Sequence, residues 1–484
     1  MKVILVNPPA LHIETLSVIG MKVPPLGLAS LASILEQSGH EVKIIDAPAM
    51  EFSILQIKEI LNKEQPEMIG VTATTPTVYD ALEIAESAKE VCPDSFTVLG
   101  GPHPSFLPIE TLRECPALDA VCIGEGEETV IELAEAVEGR RELSDVRGIA
   151  YRSKEGRVIR NPIRPLIKDL DSLPFPAWHL LPVDKYTVLG KKSVICHIMS
   201  SRGCPFQCIF CSSSLLFGKR YRARSAKSVV DEMEYLVSEY NPESIEFSDD
   251  EFTLNRKRVE EICDEIKRRG IDVPWACSSR VDTINKHLLQ KMRRAGCFLI
   301  YYGIESASQR ILNFIKKGIR IEQIKRAVKW TREVGIKVLG SFIIGFPDET
   351  KEEIEKTINF PKRLRLDFAQ FSIATPYPGT ELYEIAKREG LLLTTDWSEY
   401  TAARPVMKTK NVSVEDLSKL FRKAYVNFYL TPRVLFRNLK QYAFTILKLA
   451  LKSTLSLRSR LSKREDGKER RKAQIESLVF NEKE

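Results

Sequence analysis

The chain has few of the features that mark secreted, membrane-spanning or disulfide-stabilised proteins. Its 484 residues include only ten cysteines, which are too few to build a disulfide scaffold. The opening residues, MKVILVNPPA, read as a buried strand that ends in a turn, without the cleavage site of a signal peptide. We therefore expect a cytoplasmic protein in a reducing environment, whose thiols are free or bound to metal.

Excess positive charge is absent from most of the chain. The net charge is +7, and residues 432–484 alone contain 14 Lys and Arg against 6 Asp and Glu, which gives +8. The rest of the chain therefore sums to −1. Because a nucleic-acid-binding protein more often carries its basic stripe on a folded face, we expect no nucleic-acid partner.

Apolar sequence, in contrast, is sufficient for several hydrophobic cores. Hydrophobic residues make up 43% of the chain and charged residues 28%, as in ordinary globular proteins. A chain of this length exceeds the size of one core, so we expect about two to four domains.

Residues 1–140 alternate between short apolar runs and segments with helical spacing. The strand-like runs are KVILVNPP, EVKIIDA, MIGVTAT, FTVLGG and AVCIGEGE. Five strands that alternate with helices predict a parallel, doubly wound sheet of the Rossmann type. Ligands of such sheets bind at the carboxyl ends of the strands. Those ends carry Asn7–Pro9, Thr72–Thr77, Gly100–His103 and Gly124–Glu127.

Residues 141–194 read as a connector, and the alternation resumes after it. GIAYRSKEGRVIRNP predicts a small hairpin, and the proline-rich LDSLPFPAWHLLP predicts an extended strap. Over residues 195–390, six strand-like runs from VICHIMS to FAQFSIATP are separated by helical segments. This pattern predicts a partial (βα)6 barrel of the TIM type, whose chemistry lies at the carboxyl ends of its strands.

Residues 391–484 predict a helical region with a basic tail. VEDLSKLFRKAYVNFYL predicts one helix. Further on, Phe444, Leu447, Leu451 and Leu455 fall at helical spacing, in a run too short and too charged to span a bilayer. This second helix either packs on the body of the protein or lies on an anionic membrane surface. Residues 462–484 are expected to be disordered.

Three cysteines lie together in the loop after the first strand of the predicted barrel. In SRGCPFQCIFCSSS, Cys204, Cys208 and Cys211 follow a C-x3-C-x2-C spacing, and no CxxC pair lies downstream. Thiolates this close bind soft or borderline metals or iron–sulfur clusters. A closed zinc site needs four ligands, which would require a further group such as His197. Three ligands on a four-iron cube leave one iron open for chemistry, and this favours the cluster.

With Phe210 before the last cysteine, this loop resembles the signature of the radical S-adenosylmethionine (SAM) superfamily. EFSDDEF is similar to the family's strand end that contacts the SAM amino group, SSRVD to the element that pairs with its carboxylate, and GIES to the element that holds its ribose. The resemblance implies a [4Fe-4S] cluster on the three cysteines. The SAM contacts that it implies are Phe210, Ser248, Asp249, Asp250, Arg280 and Glu305.

The first domain resembles the cobalamin-binding (B12-binding) domain that is fused to class B radical SAM methylases. The similarity rests on NPP, GVTATTP, GGPHPS, GEGE and the strap LDSLPFPAW. The cobalamin contacts that it implies are Pro8, Thr72, Thr74, Thr75, Gly100, Gly101, His103, Gly124, Glu125 and Gly126. One motif differs, because Asp46 is followed by APAME and so lacks the His and Gly of the classical D-x-H-x-x-G sequence. A histidine ligand to cobalt from that loop is therefore not expected.

These resemblances imply a cobalamin-dependent radical SAM methyltransferase. In such an enzyme, SAM is cleaved to methionine and a 5′-deoxyadenosyl radical, which takes a hydrogen from an unactivated carbon before methylcobalamin supplies a methyl group. The architecture also resembles the anaerobic oxidative cyclase of chlorophyll biosynthesis, so cyclisation, hydroxylation or carbon–carbon joining is an alternative outcome. A non-catalytic corrinoid or metal carrier is the alternative from another class.

The expected partners are an electron donor such as ferredoxin or flavodoxin and a small-molecule or lipid substrate. The basic amphipathic end favours a lipid, such as an isoprenoid or hopanoid, at a membrane surface. Peptides and tetrapyrroles are the alternatives. Tyr301, Tyr302 and Tyr377 lie near strand ends, where aromatic side chains either face the substrate or pack in the core.

Overall fold

Each of the two alternating runs of the sequence folds into its own parallel sheet. The computed structural model describes residues 1–10, 22–188, 191–192, 194–432 and 434. The fold is α/β, with a doubly wound first sheet, a partial barrel and a helix beyond it, as predicted. In this described part of the chain, no helix is long and apolar enough to cross a membrane.

The first sheet is built around the five predicted strands, which pair in parallel. They are β1 (Lys2–Asn7), β2 (Glu41–Asp46), β3 (Met68–Thr72), β4 (Phe96–Gly100) and β5 (Ala120–Cys122). Val3, Ile4, Leu5 and Val6 are all buried, because helices cover both faces of the sheet. The strand order is β2-β1-β3-β4-β5. The chain adds β2 on one side of β1 and the later strands on the other side, so the topological switch point lies beside β1.

Helices flank this sheet, and a hairpin extends it. The helices are α1 (Leu26–Gln37), α2 (Ala47–Met50), α3 (Ile54–Glu64), α4 (Val78–Val91), α5 (Pro102–Phe106), α6 (Pro108–Glu114) and α7 (Glu127–Val137). The predicted hairpin is formed by β6 (Ile149–Arg152) and β7 (Val158–Arg160). Because β6 pairs antiparallel with β5, the hairpin adds two strands to the edge of the first sheet.

The strap after the hairpin is extended and is fixed to the first sheet and its helices. Its local structure consists of 3₁₀ turns at Leu170–Ser172, Trp178–Leu180 and Val183–Lys185. The Ala177 amide donates a hydrogen bond to the Ala29 carbonyl at 2.9 Å. The Tyr186 hydroxyl donates to the Asp46 carboxylate at 2.9 Å. Asp46, the residue without a following His and Gly, therefore anchors the strap. The strap ends in the short ribbon β8 (Thr187–Val188) and β9 (Lys191–Lys192).

The second sheet contains six parallel strands in sequence order, which is the pattern of an open barrel. They are β10 (Ile195–Ile198), β13 (Ser244–Phe247), β14 (Trp275–Ser279), β15 (Cys297–Glu305), β16 (Lys337–Ile344) and β17 (Phe368–Ile373). A separate antiparallel ribbon, β11 (Ser201–Arg202) and β12 (Arg222–Ala223), follows β10. The helices are α8 (Ser213–Leu216), α9 (Ala226–Tyr240), α10 (Arg256–Arg269), α11 (Lys286–Arg294), α12 (Gln309–Phe314), α13 (Ile321–Glu333), α14 (Lys351–Leu364) and α15 (Glu381–Arg388).

The predicted helix after the barrel, α16 (Val414–Tyr429), covers the edge strand β17. Its Tyr425 hydroxyl donates to the Phe371 carbonyl at 3.0 Å and accepts from the Phe371 amide at 3.2 Å. The Tyr429 hydroxyl makes the same two contacts with Ala369, at 2.8 and 3.3 Å. The two hydroxyls thus bind backbone groups of β17 that would otherwise pair with a further strand. The second helix predicted at 444–455 lies outside the described residues.

The cysteines outside the three-thiol loop are mostly buried, as small apolar side chains usually are. Those that are buried are Cys92, Cys115, Cys196, Cys263, Cys277 and Cys297. Cys122 is only half-buried, at the end of β5. All of these thiols are free.

Candidate functional site

The three cysteines lie in the segment that connects the two strands of the β11–β12 ribbon. Cys204, Cys208 and Cys211 are all half-buried. The loop is held by backbone contacts, including Cys204 amide to Gly218 carbonyl at 3.2 Å. Gly203 has φ +86° and a Cβ there would lie 2.4 Å from the Arg220 carbonyl, so only glycine fits directly before the first cysteine. The loop is therefore a fixed support for three thiols.

The chemistry of these thiols fits a metal cluster. Burial raises the pKa of Cys204 to about 11, so metal must displace its proton to create a thiolate. Burial also raises the pKa of Cys208, while the nearby Lys317 and Arg280 cations lower it. Within the described ranges, no three His, Cys, Asp or Glu side chains converge as ligands of a single metal ion. A four-iron cube requires no such convergence, because each cysteine binds a different iron.

The acidic segment after β13 holds the strand that leads into this loop. The buried Asp249 carboxylate accepts hydrogen bonds from the Ser200 amide at 2.7 Å and from the Ser200 and Ser201 hydroxyls. Asp250 is half-buried and accepts from the Gly203 amide at 3.2 Å. Asp249 therefore fixes the backbone just before the cysteines, and contact of either carboxylate with SAM stays a prediction. Ser248, the third expected contact, shares a 2.9 Å hydrogen bond with His197 Nδ1.

Arg280 connects the end of β14 to the cysteine loop. Its guanidinium lies 3.4 Å above the ring of Phe206, which stands between the first two cysteines. Two nitrogens donate to the Asp282 carboxylate at 2.9 Å each, and one of them also donates to the Lys317 carbonyl at 2.8 Å. The structure therefore places this predicted SAM contact beside the loop, in a fixed orientation.

Glu305 and Lys317 form a buried ion pair at the end of β15. The Lys317 ammonium donates to the Glu305 carboxylate at 2.8 Å, and both side chains are less than 10% exposed. Glu305 has φ +64°, an unusual value for a residue with a side chain. A Cβ at Gly303 would lie 2.6 Å from the carboxylate, so the pair depends on glycine there. The sequence did not predict a role for Lys317, because it stands beside a second lysine, Lys316, and the sequence does not show which of the two is buried.

Phe210 packs beside the last cysteine against Phe346, with ring centroids 6.0 Å apart. Phe346 follows β16, and its amide donates to the buried Glu349 carboxylate at 3.2 Å. Burial raises the pKa of Glu349 to about 8. Phe210, the aromatic residue of the signature, is therefore supported from the carboxyl end of β16.

A cavity of about 350 Å³ lies at the carboxyl end of the first sheet. Much of its wall is apolar and comes from β1, β4, α1 and α7: Leu5, Val98, Leu28, Leu31, Ile34, Val130 and Leu133. A Cβ at Gly70 would lie 2.8 Å from Leu5, and one at Gly126 would lie 3.1 Å from Leu31. Glycines thus keep open a deep apolar slot, and such a slot fits part of a large ring cofactor such as cobalamin.

The cavity brings together six of the ten residues expected to contact cobalamin. They are Thr72, Gly100, Gly101, Gly124, Glu125 and Gly126. The strap and the barrel close the same cavity through Leu173, Pro174, Pro176, Met199, Arg202 and Phe217, none of which was predicted. The Glu125 carboxylate is bound by Arg202 and Arg222, so it does not point freely into the cavity.

The other four expected cobalamin contacts do not line this cavity. Pro8 is buried at the end of β1, and Thr74 is exposed, with its hydroxyl 3.0 Å from that of Thr77. Thr75 lies 3.4 Å from His103 Nδ1, and the ring of His103 meets Trp397 edge-on at 5.3 Å. Burial lowers the pKa of His103 to about 4, so the ring is neutral at physiological pH.

The three tyrosines near strand ends differ in their surroundings. Tyr302 is fully buried and its hydroxyl lies 2.8 Å from that of Thr331, as expected for packing. Tyr301 is half-buried and donates to Glu246 at 3.4 Å. Tyr377 is half-buried and donates to the Tyr400 carbonyl at 3.1 Å.

Comparisons with known proteins agree with this geometry. Residues 198–360 match the radical SAM superfamily, and residues 15–134 match the B12 binding domain. The chain is 49% identical over 455 residues to the "Uncharacterized methyltransferase PH0819" of Pyrococcus horikoshii, which covers 94% of this chain and 98% of that protein. It is 34% identical to the anaerobic magnesium-protoporphyrin IX monomethyl ester cyclase of Rubrivivax gelatinosus, over 87% of this chain and 76% of that one.

The fold is shared with a solved structure in which both cofactor types are named. The cobalamin-dependent S-adenosylmethionine radical enzyme OxsB, with aqua-cobalamin and S-adenosylmethionine bound, superposes with a TM-score of 0.74 at 18% identity. The alignment covers 94% of this chain and 71% of OxsB. The predicted family and cofactors are confirmed: the chain belongs to the cobalamin-dependent radical SAM enzymes, whose cofactors are a [4Fe-4S] cluster, SAM and cobalamin.

Proposed function

We propose that this chain is a methyltransferase that places a methyl group on an unactivated carbon of a small molecule. The observation that carries the proposal is that the cavity of the first domain is closed on one side by barrel residues next to the cluster loop. Its walls come from the first sheet and also from Met199 and Arg202, which lie just before the cluster cysteines. When bound, SAM and the cluster supply a radical, and cobalamin supplies the methyl group. The methyltransferase named among the relatives, at 49% identity, supports this outcome.

On the barrel side, the chain's charged groups match the charges of SAM. Arg280 and Lys317 lie close enough to Cys208 to influence its pKa, and they are our candidates for the SAM carboxylate. Asp250, half-buried beside Gly203, is the candidate for the amino group. Glu305, held by Lys317, is the candidate for the ribose hydroxyls. In these roles the residues orient SAM without taking part in bond cleavage.

On the first-domain side, the chain supplies space and exclusion of water. Thr72 and the glycines at positions 100, 101, 124 and 126 are the candidates for contact with the corrin or its nucleotide. The strap closes the cavity with Leu173, Pro174 and Pro176. A closed apolar wall protects a reactive carbon centre from side reactions with water.

Product analysis of the anaerobically reconstituted enzyme tests methyl transfer. With SAM, cobalamin, dithionite and the substrate pool of a cell extract, methyl transfer predicts equal amounts of 5′-deoxyadenosine and S-adenosylhomocysteine. Formation of 5′-deoxyadenosine without S-adenosylhomocysteine would contradict methyl transfer and favour oxidation or cyclisation. That second candidate is supported by the 34% identity to the magnesium-protoporphyrin cyclase. If neither product formed with all cofactors bound, a non-catalytic carrier would be favoured.

For the substrate, we propose a lipid that is modified at a cytoplasmic membrane surface, with electrons from a ferredoxin or flavodoxin. The support is the charge of the chain, since residues 432–484 carry +8 and the rest carries −1. A truncation after the buried Val434 retains the described fold and removes most of this charge. The truncated protein should no longer sediment with anionic liposomes, and unchanged binding would remove the argument for a lipid. In a deletion strain, mass spectrometry should find lipids lighter by one methylene unit.

A further inference from the structure

The ribbon at the base of the cluster loop carries two buried arginines. β11 and β12 pair so that Arg202 lies opposite Arg222. Arg202 is two residues before Cys204, and Arg222 lies beyond Cys211 on the returning strand. Their side chains are 10% and 6% exposed, so neither cation is solvated by bulk water. Both ends of the cluster loop therefore need partners for a buried charge.

Both arginines find these partners in the first domain, in the turn between β5 and α7. Arg202 donates to Glu125 at 3.0 Å and, through its other terminal nitrogen, to Glu127. One nitrogen of Arg222 lies 2.9 Å from each oxygen of Glu125. The carboxylates are 3% and 7% exposed. Two cations and two anions thus form a neutral buried group, which we call the interdomain clasp.

The strap joins the same group. The Ile167 amide donates to the Glu125 carboxylate at 2.9 Å, and the Ile167 carbonyl accepts from Arg222 at 2.6 Å. On its other side the ribbon is held by the barrel, because Arg258 donates to the Ser200 carbonyl at 2.8 Å. The base of the cluster loop is consequently fixed to the barrel, the strap and the cobalamin-binding domain at once.

Buried ion pairs are a poor source of stability, since desolvation offsets much of their attraction, but in some proteins they specify one geometry. The clasp connects a cavity wall of the first domain with the residue two positions before a cluster ligand. We propose that Glu125, Glu127, Arg202 and Arg222 are positioning residues that set the distance and orientation between the cluster and the cobalt of bound cobalamin. In the GEGE turn, the Glu125 and Glu127 carboxylates act through the arginines, whereas Gly124 and Gly126 remain the candidates for contact with the corrin. This inference rests on the cofactors of the family and is independent of methyl transfer.

A spectroscopic distance measurement tests the clasp. The reduced cluster and cob(II)alamin each carry an unpaired electron, so pulsed dipolar EPR of the holoenzyme reports their separation. The variant E127Q/R202M removes one anion and one cation together, which leaves no buried charge unpaired. We expect it to bind cluster and cobalamin stoichiometrically, and to broaden the distance distribution at least twofold relative to the wild type. R202K keeps the positive charge but loses the two terminal nitrogens that bind Glu125 and Glu127 separately. It should broaden the distance distribution less than the double variant does.

The matched control is E353Q/R310M, which makes the same substitutions in an Arg–Glu pair between α12 and α14 of the barrel. It should leave the distance distribution as narrow as in the wild type. A distribution in E127Q/R202M that equals the wild type would overturn the proposal. Loss of either cofactor from that variant would also overturn it, because the clasp would then act in binding. If the double variant failed to fold, R202K alone would decide between the same outcomes. The EPR distance can be measured even in an enzyme that makes no S-adenosylhomocysteine. Failure of the proposed function is therefore distinguishable from failure of the clasp proposal.

Discussion

The two cofactor regions differ in how their walls are built. In the barrel, the charged side chains are already held by one another before any ligand is considered, as Glu305 is by Lys317 and Arg280 is by Asp282. In the first domain, much of the cavity wall is apolar, and glycines such as Gly70 keep it open. The barrel therefore offers oriented charge, which suits a small charged ligand, whereas the first domain offers volume, which suits a large ring. Substitutions that remove charge should affect one region, and substitutions that fill space the other.

The largest effect is expected from Cys208→Ala, which breaks the barrel region alone. A cube with two protein ligands lacks the fixed geometry of the wild type, so SAM cleavage should fall at least about 1,000-fold. Cobalamin binding should be retained, because its cavity contains no cluster ligand. The measurements are 5′-deoxyadenosine formation and the visible spectrum of bound cobalamin. Loss of cobalamin together with the cluster would show that the two regions are not independent.

Lys317→Met should have the next largest effect, because it leaves the Glu305 carboxylate buried and unpaired. Breaking a buried pair costs about 3–5 kcal/mol, and SAM affinity should fall at least about tenfold with it. The neighbouring Lys316→Met is the matched control, since Lys316 and its partner Glu381 are each 49% exposed. That surface pair is worth at most about 1 kcal/mol. Melting temperature and equilibrium dialysis with SAM measure both. Equal losses in the two variants would remove Lys317 from the site.

Gly27→Leu tests the first domain by volume instead of charge. Gly27 lines the cavity on α1, and a Cβ at this position would meet nothing within 4 Å. Gly27→Ala should therefore be tolerated and slightly favour the helix. The larger leucine should fill the slot and weaken cobalamin binding about tenfold, with cluster content unchanged. Fluorescence titration with hydroxocobalamin measures the affinity. If leucine and alanine bound cobalamin equally, the slot would not be part of the cobalamin site.

The smallest expected effect is a pH dependence of stability from buried histidines in both regions. Burial lowers the pKa of His103 in the first domain and of His197 in the barrel to about 4. Between pH 6.5 and 4 the unfolded chain binds the proton and the folded chain does not, so stability falls as pH falls through this window. His103→Gln should recover about 1 kcal/mol at pH 5.5 relative to pH 7. Intrinsic tryptophan fluorescence during urea unfolding measures the stability, and Trp397, whose ring meets His103, contributes to it. If the free energy of unfolding depended on pH in the same way in His103→Gln and in the wild type, His103 would not be neutral in the folded protein.

The sequence predicts most of the fold because its signals are local. Apolar runs bounded by turn residues placed all five strands of the first domain, and the spacing of three cysteines identified the cluster loop. What it did not reveal depends on contacts between distant segments. Glu125 reads as a cofactor contact in GEGE, but its charge is matched by Arg202 and Arg222, 77 and 97 residues later. The hydrogen bonds from Ser200 and Ser201 to Asp249 likewise join residues that lie 49 and 48 positions apart, and the sequence did not predict them.

The tyrosines of α16 protect the edge of the barrel from pairing with a strand of another copy of this protein. An open six-stranded barrel ends in a strand whose amides and carbonyls invite a further strand, from another copy or from a stray peptide. Tyr425 and Tyr429 engage those groups at alternate residues, one turn of helix apart. The barrel can therefore remain unclosed without becoming a template for pairing with a strand of another molecule.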